Sequence, residues 1–248
     1  MKRAPYGVIF ADDHLVVLDK SSGILVAADR YDQDAPRLDI LAESQFGRLF
    51  AVHRIDRETS GLVTYARTAE AHRSLSMQFE ERRVVKIYRV LIHGRLPGET
   101  ISVDVPLLPD GDKRHRTVAN QQRGKPSRTA FRQIARRGHF AWVEARPETG
   151  RTHQIRVHLA TLGLSVVCDA LYGSGKPLIL SQIKRSWRGD PLGERPLLDR
   201  LALHAYFLEL THPATGERVT FEAPLHRDML AAWNQLEKIY PEPVEKLG

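Results

Sequence analysis

The apolar segments of this chain are short, rich in β-branched residues, and separated at close intervals by turn signals. Val8-Ile9-Phe10 and Leu15-Val16-Val17-Leu18 read as two strands around Asp12-Asp13-His14. Ser21-Ser22-Gly23 is a turn signal before another apolar run, Ile24-Leu25-Val26. Leu49 to Val52, Leu62 to Ala66, Val84 to Ile92 and Ile101 to Leu107 read as further strands. Ser127 to Ile134 and His139 to Arg146 form a predicted hairpin around Arg137-Gly138, and Leu201 to Glu222 another, turning at Pro213 to Gly216. No βαβ alternation and no Gly-rich phosphate loop interrupts this pattern. It predicts an α+β chain with a mixed, largely antiparallel sheet and flanking helices, and excludes a Rossmann domain.

Helices are fewer. Leu38 to Phe46 ends near Gly47. Thr68 is placed to cap a helix with Ala71, Leu75 and Phe79 on one stripe. Thr152 is placed to cap another, with Ile155, Leu159 and Leu162 facing the core and Gly163 as its stop. Arg227 to Ile239 closes the chain as an amphipathic helix. The polar segments are expected to be loops: 30–36, the basic stretch 110–125, and 174–200, an insertion or mobile loop. The whole 1–248 chain reads as one domain, with the break between sheet halves between Leu107 and Ser127.

Thirty-seven basic against 30 acidic residues give a net charge of +7 and a pI of about 9.7. Such a surface attracts polyanions, so nucleic acid is the first partner to consider. Cys168 is the only cysteine, which excludes an intrachain disulfide and cysteine-rich zinc sites and fits a reducing cytoplasm. The first residues do not read as a signal peptide, and no apolar stretch approaches the ~20 residues of a membrane span. No heptad argues for an oligomer, so a monomer is expected.

Two polar clusters can carry chemistry. The first is His53-Arg54-Ile55-Asp56-Arg57-Glu58-Thr59-Ser60-Gly61, between two strands. A carboxylate flanked by arginines is favoured as the anion, fit to serve as nucleophile, base or metal ligand. Thr59 and Ser60 can pin the loop, and Gly61 permits a turn other residues resist. A polar turn without function is the competing reading. A kinase loop is excluded by the missing downstream Asn and DFG element, and an aspartyl phosphatase by Glu58 where a second Asp belongs.

The second cluster is Glu148-Thr149-Gly150-Arg151-Thr152-His153-Gln154-Ile155-Arg156-Val157-His158. His153 and Arg156, three apart, share a helix face, so Arg156 can reach a distant acid. A solvated arginine is the commoner case. His153 and His158, five apart, are poorly spaced as joint metal ligands, and no metal site is expected. Tyr88, in a strand beside Lys86 and Arg89, suits stacking on an extruded base, though a core tyrosine is the simpler reading.

Together these clusters resemble the RluA family of RNA pseudouridine synthases. The resemblance rests on His53-Arg54-Ile55-Asp56 with Thr59-Ser60-Gly61, and on Gly150 to Leu159. Lys86-Ile87-Tyr88, Gly124-Lys125-Pro126, Asp169-Ala170-Leu171-Tyr172-Gly173, Leu203-His204-Ala205 and Thr211-His212-Pro213 follow in the family's order. It implies a pseudouridine synthase fold with a central RNA cleft, and isomerisation of uridines in ribosomal or transfer RNA with no cofactor. It implies catalysis by Asp56, with Tyr88 against the target base and Arg156 paired to Asp56. It implies that Arg54 enters the RNA stack where the uridine leaves, and places Thr59, Arg151, His153 and Gln154 on the substrate side. A non-catalytic RNA-binding or chaperone protein on the same fold is the alternative. Lys20-Ser21-Ser22-Gly23 lacks the proline usual at the family's N-terminal turn, so a looser turn is expected. No separate N-terminal RNA-binding domain is expected either, so the catalytic domain must make its own RNA contacts.

Overall fold

The computed structural model describes residues 4–28 and 34–241. Most of the expected 30–36 loop lies outside the described residues. The strands are β1 (Tyr6–Ala11), β2 (Leu15–Lys20), β3 (Phe50–Ala51), β4 (Ser60–Ala66), β5 (Val85–His93), β6 (Thr100–Asp104), β7 (Leu107–Leu108), β8 (Val118–Ala119), β9 (Arg128–Arg137), β10 (Phe140–Pro147), β11 (Ser165–Val166), β12 (Leu203–Thr211) and β13 (Arg218–Glu222). The helices are α1 (Leu38–Phe46), α2 (Ala69–Glu80), α3 (Gln154–Thr161), α4 (Leu180–Ile183) and α5 (Arg227–Ile239).

The main sheet runs β1-β2-β4-β12-β5-β10-β9-β6, with β3 on β4, β11 on β5 and β13 on β12. Its pairings are antiparallel except one: β12 meets β4 in parallel, at His204 to Ser60 and Ala205 to Gly61. Gly61 makes that junction possible. A Cβ there would sit 2.2 Å from the Ala205 carbonyl oxygen, and its φ is +106°. Only glycine tolerates both the approach and the backbone angle. The sheet centre, where the first polar cluster enters, is thereby fixed.

Two apolar cores flank the central strands. One gathers β2, β4, α1 and α2 around Leu15, Leu18, Leu38, Tyr65 and Leu75. The other gathers β10, α3 and α5 around Leu91, Val143, Leu159, Met229 and Leu236. Tyr88 packs against both. The break therefore falls at β5 and β12, not between Leu107 and Ser127 as the sequence suggested. The polar stretch there interrupts the hydrophobic pattern but not the sheet, because β9 and β10 fold back onto β5. Within the stretch, β7 pairs with β8, and Lys125 exchanges backbone hydrogen bonds with Leu107 at 2.8 and 3.0 Å. Segment 174–200 carries α4, and Leu178, buried like Leu198, bridges to it.

α2 begins as expected, with Thr68 Oγ1 accepting from the Ala71 amide at 3.1 Å. The capping expectation for Thr152 is overturned. The residue before α3 is His153, held at φ +54° with no side-chain cap. Gln154 closes the turn instead, its Oε1 accepting from the Arg151 amide at 3.0 Å. α3 is also not one stripe: Gln154 through Leu159 are all buried, because the helix sits between sheet and loops.

Candidate active site

The first cluster forms the loop between β3 and β4, and its backbone is tied from three sides. The Thr59 amide donates to the Asp56 carbonyl at 3.1 Å, closing a turn beneath the carboxylate. Lys20, wholly buried, donates from Nζ to the carbonyls of Ser21, Ile24 and Arg57 at 3.0, 2.8 and 2.9 Å. Burial pushes its amine down to about 7, while three acceptors favour the ammonium, which alone has three N–H donors. Ser22 Oγ donates to the Glu58 carbonyl at 2.7 Å. The missing proline therefore does not leave a loose turn, because Lys20 and Ser22 staple it to the Asp56 loop.

His53 supports the other flank. Its Nε2 accepts from the Thr64 amide at 2.9 Å, and its ring stacks on Phe79 at 4.4 Å and 17°. Burial pushes its pKa down to about 3, so the acceptor nitrogen stays unprotonated. Thr59 is 1% exposed, and its Oγ1 has no hydrogen-bond partner among the described residues.

The second cluster faces the first across a cleft of about 1240 Å³, lined by Arg54, Asp56, Thr59, Lys86, Tyr88, Arg151, His153, Gln154 and Arg156, among others. All eight site residues expected from the sequence line this one cleft. Arg54 is exposed, Arg151 and His153 are half-buried, and Arg156 is 4% exposed. Arg156 is thus not a solvated helix arginine. Its Nη1 lies 3.6 Å from Asp56 Oδ2, an ion pair longer than a hydrogen bond.

Its closer partner is Asp169. Nε and Nη2 donate to the two Asp169 oxygens at 2.8 and 2.7 Å, a bidentate pair on a carboxylate with no exposed surface. Asp169 Oδ1 also accepts from the Leu171 and Tyr172 amides at 2.9 and 3.0 Å. Burial alone would raise this carboxyl, but the Arg156 hydrogen bonds and charge outweigh it and hold the pKa below its ordinary value. The guanidinium is thereby fixed with one edge to Asp169 and its remaining nitrogen toward Asp56.

Tyr88 and Lys86 line the cleft from β5. Arg89, expected beside them, lies on the opposite face of the sheet, paired to Glu144 at 3.0 Å, because strand side chains alternate. Burial first, and Asp56 second, raise the Tyr88 hydroxyl well above its ordinary pKa. Tyr88 therefore holds its proton at neutral pH. Burial pushes Lys86 down to about 8.

Gln154 spends its amide internally: Oε1 accepts from Thr149 Oγ1 at 2.6 Å, and Nε2 donates to the Arg128 carbonyl and Thr129 Oγ1, each at 2.9 Å. His158 is engaged away from His153, with Nδ1 2.9 Å from Thr129 Oγ1 and Nε2 3.1 Å from the Val105 carbonyl. The two histidines do not form a joint site. Elsewhere, Asp19, His204 and His226 bring ligand-type atoms within 4.8 Å of one another. There His226 Nε2 binds Asp19 at 2.8 Å and His204 Nδ1 lies 2.9 Å from Ser60 Oγ.

Sequence reasoning gave no role to Asp169 or Lys20. Asp169 follows the apolar run Val166-Val167-Cys168, but nothing in that run says whether it is buried or what it pairs with. Lys20, at the end of a strand, looks like any surface lysine.

This arrangement can be set beside known proteins. The sequence matches the family described as RNA pseudouridylate synthase over residues 14–161, more than half of the chain. The chain belongs to the RNA pseudouridylate synthase family. Both clusters lie within the matched span. Among the family's curated members, a ribosomal large subunit pseudouridine synthase D of Nitrosomonas europaea is 37% identical over 235 residues, covering 92% of this chain and 64% of that protein. The chain thus spans about two thirds of that relative's length. The dual-specificity RNA pseudouridine synthase RluA of Escherichia coli K12 is 33% identical over 219 residues, covering 88% of this chain and 92% of that protein. Among solved structures, human RNA pseudouridylate synthase domain containing 4 superposes with a TM-score of 0.72 at 25% identity, covering 93% of each chain. Human RNA pseudouridylate synthase domain containing 1 gives 0.68 at 25% identity, covering 91% of this chain and 86% of that one. The α+β fold expected from the sequence is the fold of this family.

Proposed function

We propose that this chain isomerises uridines in structured ribosomal or transfer RNA to pseudouridine. The observation that carries the reading is Arg156, locked by Asp169, standing 3.6 Å from Asp56 in one cleft. The family and its named members support it.

The target base is buried in a folded RNA, so extrusion costs a few kcal/mol. Arg54, exposed at the rim, fills the gap the base leaves and offsets part of that cost. The extruded uracil lies against Tyr88, between Asp56 and the α3 wall. The bond from ribose C1′ to uracil N1 breaks, the ring turns, and a bond from C1′ to C5 forms. A proton leaves C5 and one is taken up at N1, so the sum is redox-neutral and uses no cofactor. Asp56 acts as nucleophile or as base, with the Arg156 guanidinium fixed beside it at 3.6 Å. Tyr88, with its raised pKa, packs against the base and moves the C5 proton only if it is first deprotonated. Thr59, Arg151 and His153 meet the RNA, and Gln154 holds the wall they stand on. The chain works as a monomer in the cytoplasm, with 174–200 as an insertion at the edge of the catalytic fold. No helix among the described residues is long and apolar enough to cross a membrane.

The test is conversion of uridine in ribosomal and transfer RNA transcripts by purified protein, read by nucleoside mass spectrometry. Wild-type protein yields pseudouridine and Asp56→Asn yields none. Equal conversion by both would remove Asp56 from the chemistry. Binding without conversion by wild type would leave a non-catalytic RNA-binding protein.

A further inference from the structure

Tyr172 stands behind the cleft and touches what the reaction depends on. The Arg156 guanidinium carbon lies over its ring, 5.1 Å from the centroid. The Arg116 guanidinium carbon lies over the same ring at 5.7 Å. Arg116 belongs to the segment between β7 and β8, where Asp112 holds it at 2.7 Å and its Nη1 donates to the Leu171 carbonyl at 2.6 Å. Pro109, Asp110, His115 and Thr117 of that segment line the cleft. One aromatic ring thus carries two cation–π contacts: to the arginine facing Asp56 and to the arginine anchoring a loop that lines the cleft.

The hydroxyl adds a second link. It donates to the Thr117 carbonyl at 3.0 Å, and lies 3.0 Å from His153 Nδ1. A phenol has one proton, and a carbonyl oxygen cannot donate. The proton shared with His153 must therefore sit on Nδ1, with Tyr172 as acceptor. Burial lowers the pKa of His153, so the ring is neutral and Nε2 is its bare, acceptor nitrogen, which makes no hydrogen bond among the described residues. The backbone of His153 is at φ +54°, a conformation a non-glycine residue keeps only when its surroundings hold it. Tyr172 is itself held, since its amide donates to the carboxylate that clamps Arg156.

We propose that Tyr172 is a positioning residue: it sets the guanidinium of Arg156 and the tautomer of His153, and couples both to the 109–117 loop that lines the cleft. The ring serves the chemical step, through Arg156. The hydroxyl serves RNA engagement, through the loop and His153. The rate effects rest on the pseudouridylation reading; the tautomer does not.

Two variants separate ring from hydroxyl. Tyr172→Leu removes both, and lowers the single-turnover rate at saturating RNA by roughly tenfold to a hundredfold while raising KM. Tyr172→Phe restores the ring, recovers most of the lost rate, and leaves KM raised. A Leu variant that keeps a wild-type rate, or a Phe variant as slow as Leu, overturns the role of the ring. Phe conserves the packing, so its KM-against-rate split reads function even if Leu fails to fold. Independently of any RNA, ¹⁵N NMR of ring-labelled histidine in the free protein shows His153 neutral and protonated at Nδ1, with that preference lost in Tyr172→Phe. A bare Nδ1 in the wild type overturns the hydroxyl's role. Absence of any conversion by the wild type would instead count against the proposed function, and the NMR result would still decide the tautomer.

Discussion

Arg156 and Asp169 form the pair on which the geometry of the cleft turns: a guanidinium 4% exposed and a carboxylate with no exposed surface, joined by two hydrogen bonds. Thirteen positions separate them in the chain. Asp56 receives only what this clamp leaves over, one nitrogen at 3.6 Å. The guanidinium is thus placed before any substrate arrives, which is what electrostatic preorganisation requires.

Breaking the clamp has a cost in both stability and activity. Asp169→Asn leaves a buried guanidinium with only the more distant Asp56 as counter-charge, which costs up to about 3–5 kcal/mol. Its unfolding midpoint in urea falls accordingly, and the single-turnover rate drops as Arg156 loses its orientation. The depressed Asp169 pKa fixes the pH dependence. A carboxylate of lowered folded pKa stabilises above its unfolded value and ceases to as pH falls through the folded one. The stability gap between wild type and Asp169→Asn is therefore full at neutral pH and closes in acid below about pH 4.

His53 sets a second acid-sensitive window. Its folded pKa lies near 3, against 6.5 unfolded. Between these values the unfolded chain binds a proton that the folded chain refuses, so stability falls as pH drops from 6.5 toward 3. His53→Gln can still accept from the Thr64 amide but does not titrate. Its denaturation midpoint depends less steeply on pH across that window than the wild type's, as followed by urea titration at each pH.

Much of this scaffold was legible locally. The limits of α1 and α5 follow from Gly47 and from the apolar stripe that buries Met229, Ala232, Trp233 and Leu236. The Asp56 loop stood out as the densest polar cluster between two apolar segments, although a plain polar turn would read the same way. The Asp56–Arg156 ion pair was an implication of family resemblance, and the fold brings the two within 3.6 Å. Asp169, Lys20 and Tyr172 were not legible in this sense. Each acts on a partner brought near by the fold of the chain, and neither strand alternation nor helix period encodes such a pairing. Thr152 misled for a related reason. A capping residue was present, but Gln154 reaches the amide that matters and leaves the His153 backbone left-handed.

Thr59 offers a test of a buried hydroxyl with no partner among the described residues. Thr59→Val keeps the shape and removes an unsatisfied polar atom. Its thermal midpoint is unchanged or higher, by up to about 1 kcal/mol of stability. If the hydroxyl waits for RNA, KM for RNA rises in the same variant. A clear loss of stability would show a role in folding instead.

Gly61 marks the tightest point of the sheet. Gly61→Ala places a methyl 2.2 Å from the Ala205 carbonyl oxygen at a backbone angle alanine avoids. The β4–β12 junction must open, and the loss exceeds about 3 kcal/mol, at the far end of single substitutions. Soluble yield and calorimetric midpoint measure it.

The most direct test of the whole account is made in cells. Pseudouridines are mapped across ribosomal and transfer RNA in a strain lacking this protein, then with the wild-type chain or Asp56→Asn restored at equal abundance. The account predicts a discrete set of sites that vanish on deletion, return with the wild type, and stay unmodified with Asp56→Asn. Sites that return with Asp56→Asn would contradict it.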